Sequence, residues 1–407
     1  MNMMKHSTHL LATFCAAASV SLLTPAVHAQ TLSDALAASR WGLDFRHRIE
    51  LVDEDGFSDS ARASTLRTRL NLKTGSYEGL QAFIEFSDVR EIGLDDFNAG
   101  AGATPDRNRF PVVADAEDTR VNRAWLGFKP GERLEIRAGR QRIKLDNDRF
   151  VGNVGWRQNE QTYDGASLEW NHDRWNVFYS YVGHVNRIFD SSVPAGDHDH
   201  DTHLVNASFD VADGHALTGY LYDIEDRDQQ AFSSRTLGLR YTGSAGLLSW
   251  LTEYARQSDA GDNPADYDAG YLHLRADIAL DPRFEPMAGF ERLEGSPSAG
   301  EAFRTPLATL HAFNGWADRF LATPDTGLED IYGGFTGRNG RLGWNVILHR
   351  FESEATGARF GDEIDASLSI DVAERVALLL KVAHFDSSSA NVPGATKFWA
   401  QLSLALP

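Results

Sequence analysis

The sequence is short of cysteine, of proline and of positive charge. One cysteine, Cys15, stands among 407 residues, and it falls inside an N-terminal stretch with the form of a secretory leader. Residues 1–5 are a short basic region, 10–23 are apolar and alanine-rich, and Val27-His28-Ala29 offers the small-residue cleavage pattern. A signal peptide is therefore expected over residues 1–29, followed by a mature chain from residue 30 to 407 with no cysteine. Disulfide frameworks and thiol chemistry are excluded. Phe14 before Cys15 is a poor match to a lipoprotein cleavage site. Lys and Arg number 39 against 58 Asp and Glu, a formal charge of −19, and a polyphosphate partner needs a basic surface, so nucleic acid is not expected to bind. No later segment has the roughly 18 uninterrupted apolar residues that a spanning helix requires.

What is abundant is glycine, at 35 residues, and aromatic side chains, at 11%, with only 13 prolines. That mixture suits extended segments joined by tight turns. Period-two alternation runs through nearly the whole mature chain, whereas a helical period is hard to find. Residues 41–52 put Trp41, Leu43, Phe45, Ile49 and Leu51 on one face and Asp44, Arg46, Arg48 and Glu50 on the other. Counting similar segments, from 63–72 and 79–89 through to 375–385 and 397–406, gives about eighteen strands.

The connections point the same way. Every second one is minimal, such as Pro130-Gly131-Glu132, Arg338-Asn339-Gly340 and Val372-Ala373-Glu374, and the intervening ones are longer and polar. The fold class predicted is all-β: a transmembrane antiparallel β-barrel of about 18 strands with short periplasmic turns and long extracellular loops, in the bacterial outer membrane. A soluble β-helix or propeller would carry an internal repeat of fixed period, and none is found. Trp41, Trp170, Trp175, Trp250, Trp344 and Phe398 lie near strand ends, where interfacial girdles belong. Two stretches, 90–118 and 295–328, are too long for simple hairpin loops; such loops are usually functional or mobile, and in a barrel they can fold inward as plugs.

On the lumenal parity of the first strands, arginine is dense: Arg46, Arg48, Arg67, Arg69, Arg123, Arg133 and Arg137. Acids there are fewer, chiefly Asp44, Glu50, Glu85 and Glu135. A narrow lumen lined by guanidinium focuses its field on anions even when the whole chain is negative, and the guanidinium fork matches a carboxylate. The same arginines also fit an ordinary eyelet, in which they face acids across a nonspecific pore.

The run Gly139-Arg140-Gln141-Arg142, continuing through Trp156-Arg157-Gln158-Asn159-Glu160 to Tyr163-Asp164-Gly165, resembles the alginate export family of outer-membrane porins. The stretch 305–318 (Thr-Pro-Leu-Ala-Thr-Leu-His-Ala-Phe-Asn-Gly-Trp-Ala-Asp), with Thr323-Pro324 and Gly327-Leu328-Glu329-Asp330, is similar to a second motif of that family. The resemblance implies a monomeric eighteen-stranded channel with an electropositive constriction that conducts polyuronate or other anionic saccharides. By position it implies that Arg46, Arg48, Arg67, Arg69, Arg123, Arg137, Arg140 and Arg142 line the selectivity region, with Asp148 and Asp164 as the counter-charges that hold the arginines in place. Barrels of this kind commonly end in an aromatic residue, whereas this chain ends Leu404-Ala405-Leu406-Pro407.

The expected partners are anionic saccharides or other small anionic solutes, outer-membrane lipid and lipopolysaccharide, the barrel assembly machinery, and periplasmic export or uptake proteins. No cofactor is expected. Residues 196–203 cluster imidazoles and carboxylates in a way that suits a divalent cation, although a solvated loop without a defined site is the reading the sequence favours. Ser180 and His184 share parity on one strand, but no nucleophile elbow or zinc-protease motif accompanies them, and an enzyme is not expected. The competing functions are a general or small-anion uptake porin and an adhesin or receptor acting through its external loops.

Overall fold

Alternation of polar and apolar residues satisfies two environments at once only if the sheet closes, because an open edge in lipid would leave backbone groups unpaired. A computed structural model, which describes residues 28–29, 31–298 and 300–407, shows that closure. The leader expected over residues 1–29 lies outside the described residues apart from His28–Ala29. Eighteen strands form the wall: β1 (Arg40–Glu54), β2 (Ala61–Lys73), β3 (Leu80–Asp96), β4 (Asp118–Phe128), β5 (Leu134–Gln141), β6 (Thr162–His172), β7 (Trp175–Asn186), β8 (Asp197–Ala212) and β9 (His215–Ile224) make the first half. The second half holds β10 (Ser234–Ala245), β11 (Leu248–Asp259), β12 (Asp268–Ile278), β13 (Glu285–Leu293), β14 (Leu328–Asn339), β15 (Leu342–Glu352), β16 (Arg359–Ala373), β17 (Val376–Ser387) and β18 (Ala395–Leu406). Each strand pairs antiparallel with the next, and β18 returns to β1 from Leu43 opposite Leu406 to Glu54 opposite Ala395. A one-turn helix, α1 (Leu32–Ala37), precedes the barrel under a Thr31–Asp34 capping box and accepts from Gly75 N–H at 3.0 Å through the Ala35 carbonyl.

The outward face carries exposed apolar residues from strand after strand, among them Leu126, Leu237, Leu274, Ile331, Leu348 and Leu402. Trp41, Trp170, Trp175, Trp250, Trp344 and Phe398 all lie on this outward parity; Trp41, Trp175 and Phe398 are exposed.

The hydrophobic core sits inside the barrel, because three loops fold into it. The segment 97–117 brings Phe97, Phe110, Val113 and Ala116 against Val52, Ala61 and Ala63 of the wall. The segment 294–327 brings Phe303, Leu307, Trp316 and Phe320 against wall aromatics such as Tyr271, Phe351 and Trp399. A third infolded loop, 142–161, was not expected from its composition; its Ile143, Phe150, Val151 and Trp156 join the same cluster. Gly152 N–H donates to the Leu307 carbonyl at 2.8 Å and Thr309 N–H to the Asp148 carbonyl at 3.0 Å, so the second and third loops are stitched together.

Two boundaries depart from expectation. Strand β3 runs on to Asp96, and β8 starts at Asp197, so the histidine-rich stretch read as a solvated loop is mostly strand, with His198 and His200 buried. Polar alternation there continues the sheet beyond the membrane, where the outward face no longer has to be apolar.

Candidate functional site

Antiparallel pairing of β1 with β2 sets Arg46 opposite Arg67 and Asp44 opposite Arg69. Period-two alternation then stacks Arg46 with Arg48, and Arg67 with Arg69, on the lumenal face. Side by side, these cations repel one another, and the infolded loops supply the compensation. Arg46 donates to Gln158 Oε1 at 2.9 Å, to the Gly155 carbonyl at 2.9 Å and to the Arg157 carbonyl. Arg48 lies 3.2 Å from Asp115, donates to Gln401 Oε1 at 2.7 Å and stacks over the Trp156 ring at 4.1 Å. Both are buried and tied to the infolded loops, Arg48 also to Gln401 of the wall.

Arg67 and Arg69 are held more loosely. Arg67 meets Asp44 at 2.7 Å, and its Nε is buried without a partner. The contacts of Arg69, to Ser87, the Gln158 carbonyl and Glu160, are long, at 3.4 to 3.5 Å. Arg142 forks onto Glu160 at 2.9 and 2.7 Å, and Arg123 forks onto Glu85 at 2.9 and 2.8 Å. Arg46, Arg48, Arg67, Arg69, Arg123 and Arg142 thus converge around the 156–160 segment. Burial pushes the Glu160 carboxyl up, but the guanidiniums of Arg142, Arg69 and Arg123 outweigh it and hold the group well below the usual carboxylate range.

Four expected residues sit elsewhere or bond otherwise. Arg137 pairs with Glu135 beside Trp125 at the end of the barrel nearer the short turns. Arg140 and Asp164 do form a forked pair, at 2.8 and 2.8 Å, but it lies on the outer face of the wall. Arg140 shares parity with Ile136 and Ala138, which are exposed, while Gln141 and Ser167 hydrogen-bond at 2.7 Å on the inner face. The alternation simply continues through Gly139. Asp148 pairs with Lys144 at 3.0 Å and not with an arginine of the wall. The carboxylates that do neutralise the lumenal arginines are Asp44 and Glu85 of the wall, on Arg67 and Arg123, and Asp115 and Glu160 of the infolded loops, on Arg48 and Arg69; the loop acids lie too far away in sequence to be inferred from spacing. Ser180 donates to the Ala166 carbonyl at 3.0 Å while His184 faces Asp199 at 3.0 Å, so those two side chains do not meet.

Beside the arginine wall, Asp318 of the 294–327 loop gathers Arg157 at 3.0 Å, Lys397 of the neighbouring β18 at 2.8 Å and His311 at 2.6 Å. The His311 ring stacks on Trp156 with centroids 4.5 Å apart and planes 8° apart. Burial raises the Asp318 carboxyl, but His311, Lys397 and Arg157 outweigh it and hold the group well below its ordinary value. Beyond this junction a cavity of about 100 Å³, bounded by His273, Arg275, Glu291, Asn314, Asp330 and Tyr332, remains between loop and wall.

A closed eighteen-stranded wall with an apolar outer face is the form of an outer-membrane channel, and the alginate export family profile matches residues 38–292. The chain belongs to the alginate export family. The match takes in the Trp156–Gly165 motif and ends before the stretch at 305–330. Among solved structures, the chain is similar to OccAB4 of Acinetobacter baumannii, with a TM-score of 0.68 and 12% identity over 94% of this chain and 100% of that one. It is similar also to OpdO of Pseudomonas aeruginosa, with a TM-score of 0.69 and 13% identity over 92% of this chain and 98% of that one. At such identities the likeness is one of fold. No curated protein matches the chain. This family member is an outer-membrane β-barrel channel of the porin type.

Proposed function

We propose that this channel passes anionic solutes of the uronate-sugar class, moving passively down their gradient. The observation that carries the reading is the loose hold on Arg67 and Arg69. Of these two adjacent lumenal guanidiniums, Arg69 has only long contacts and Arg67 has an unpartnered Nε beside its 2.7 Å pair with Asp44, so a carboxylate meets less competition at Arg69 than at the other lumenal arginines. The remaining arginines fix the loops that shape the passage. We place the leader at residues 1–29, removed on export, with the barrel assembly machinery receiving the mature chain from residue 30 onward. Periplasmic export or uptake proteins would supply or collect the solute.

The infolding of three loops favours a second reading, a small-anion uptake porin, since loops packed against the wall leave less room for a polymer. Planar-bilayer recording separates the two. Reversal potential is measured in a salt gradient with and without oligouronate, for the natural chain and for Arg67→Ala with Arg69→Ala. Anion selectivity that oligouronate blocks and the double substitution weakens supports the uronate channel. Selectivity that the substitutions weaken but oligouronate leaves unblocked supports the small-anion porin, and indifference to both removes the arginine pair from the account.

A further inference from the structure

We propose that His198, His200 and Asp226 form a binding site for a transition-metal dication of the zinc type, at the outer end of the barrel wall and apart from the arginine lumen. The three side chains are 3%, 2% and 1% exposed, and their ligand atoms lie within 4.8 Å of one another. His198 and His200 alternate with Thr202, Leu204 and Asn206 on the inward face of β8, at the place where its register against β7 shifts between Asp199 and Thr202. A shift of that kind re-aims side chains.

The carboxylate is oriented before any ion arrives. Asp226 Oδ1 accepts from the backbone N–H groups of Asp228 at 3.1 Å and Gln229 at 2.8 Å, which leaves Oδ2 directed at the imidazoles. That oxygen is 2.8 Å from His198 Nδ1 and 3.6 Å from His200 Nε2. Two ligands bound tetrahedrally to one ion at zinc distances stand about 3.4 Å apart, so the 3.6 Å pair is already spaced for one. The Thr202 hydroxyl takes His200 Nδ1 at 3.0 Å and so leaves Nε2 as the free nitrogen. His200 Nε2 is buried with no hydrogen-bond partner. A buried imidazole nitrogen left without a partner costs stability unless something binds it.

Two imidazoles and one carboxylate suit zinc, nickel or copper and not calcium, which prefers oxygen ligands. The proton that His198 Nδ1 donates to Asp226 leaves when the metal binds, and a water fills the fourth position. Asp226 belongs to the loop between β9 and β10, so the ion would tie that loop to β8. The Arg187 guanidinium acts on the same carboxylate and opposes the ion's charge, which limits affinity.

The test uses the full chain, refolded in detergent without an affinity tag, stripped with a chelator and titrated with Zn²⁺ alone. Binding of about one ion per chain is expected, lost in His200→Gln and Asp226→Asn, and weakened about 10- to 100-fold in Thr202→Val, which touches only the supporting hydroxyl. His184→Gln, which alters the half-exposed pair with Asp199 on the other face, should bind as the natural chain does. Heat-modifiable migration in gels confirms that each variant is a folded barrel. Should His200→Gln and Asp226→Asn fail to fold, X-ray absorption of the zinc-loaded natural chain decides. Two imidazole nitrogens in its spectrum support the site, and oxygen ligands alone overturn it. Absence of binding to the natural chain, or unchanged affinity in folded His200→Gln and Asp226→Asn, overturns it equally.

Discussion

Arg157 and Asp318, 161 residues apart in the chain, meet at 3.0 Å in the barrel interior and join two of the infolded loops. Arg157 also reaches Glu50 of the wall at 3.1 Å, and Lys397 of the adjacent strand β18 approaches Asp318 at 2.8 Å. The junction is a closed set of buried charges, each with an opposite partner.

Removing one member should therefore be costly. Asp318→Asn leaves Arg157 and Lys397 short of a counter-charge, and breaking a buried pair in this way costs about 3–5 kcal/mol. The barrel wall, held by its own ladder, is expected to stay closed while the loops loosen. Single-channel recordings should show higher and noisier conductance for Asp318→Asn than for the natural chain, and an unaltered trace would contradict the role given to the junction.

Glu160 is the acid set among the loosely held arginines. Its replacement by Gln removes one negative charge from that cluster and frees the fork of Arg142. Anion selectivity should rise, read as a reversal potential displaced further toward the anion value in a salt gradient. A displacement toward cations would mean that Glu160 acts by holding the loop in shape and not by neutralising the wall.

Glu160 and Asp318 share a pH signature. Both carboxyls are held below their ordinary values in the fold, so each contributes stability that is complete above the unfolded pKa, near 4, and is lost as pH falls through the depressed folded value. The loops should stay locked from neutral pH down to about pH 5 and begin to release only below about pH 4. Limited proteolysis of residues 142–161 and 294–327 with an acid-active protease across this range measures it. Release already at pH 6 would contradict the assignment.

Arg140→Ala offers a control of position. Because the Arg140–Asp164 pair lies on the outer face near the rim, its loss is expected to leave ion selectivity within measurement error while that of Arg69→Ala falls. An equal effect of the two substitutions on reversal potential would put Arg140 back in the lumen.

Gly152 marks how closely the two motif loops approach. A Cβ placed there would stand 2.3 Å from Thr309 Oγ1 and 2.7 Å from Asp148 Cβ. Gly152→Ala should push the loops apart, at a cost of about 1–3 kcal/mol for overpacking, and lower the temperature at which they become open to protease. An unchanged temperature would show that the loops yield there without strain.

Much of the wall was legible in the residues themselves. Alternation at period two in β1 and β2 assigned Arg46, Arg48, Arg67 and Arg69 to one face and Phe45 and Leu66 to the other, because strand geometry leaves no third choice. The reading fails at two places. Beyond Gly139 the strand continues to Gln141 and the same alternation puts Arg140 outside, not in the lumen as the family resemblance implies. The polar stretch 196–203 looked like loop, since outside the membrane the outward face of a strand is free to be polar.

The sequence by itself determined the closed barrel, its strand number and the side on which arginine accumulates, since membrane burial acts on every residue separately and writes its period into the chain. Tertiary structure alone decided what those arginines do. Whether a guanidinium is free or spent depends on partners such as Gln158, Asp115 and Asp318, brought from more than sixty positions away by loops that turn inward to bury Trp156, Phe303 and Trp316. Spacing along the chain carries no record of that encounter, because the energy that drives it is the burial of the loops' own apolar residues and not any local preference of the arginines.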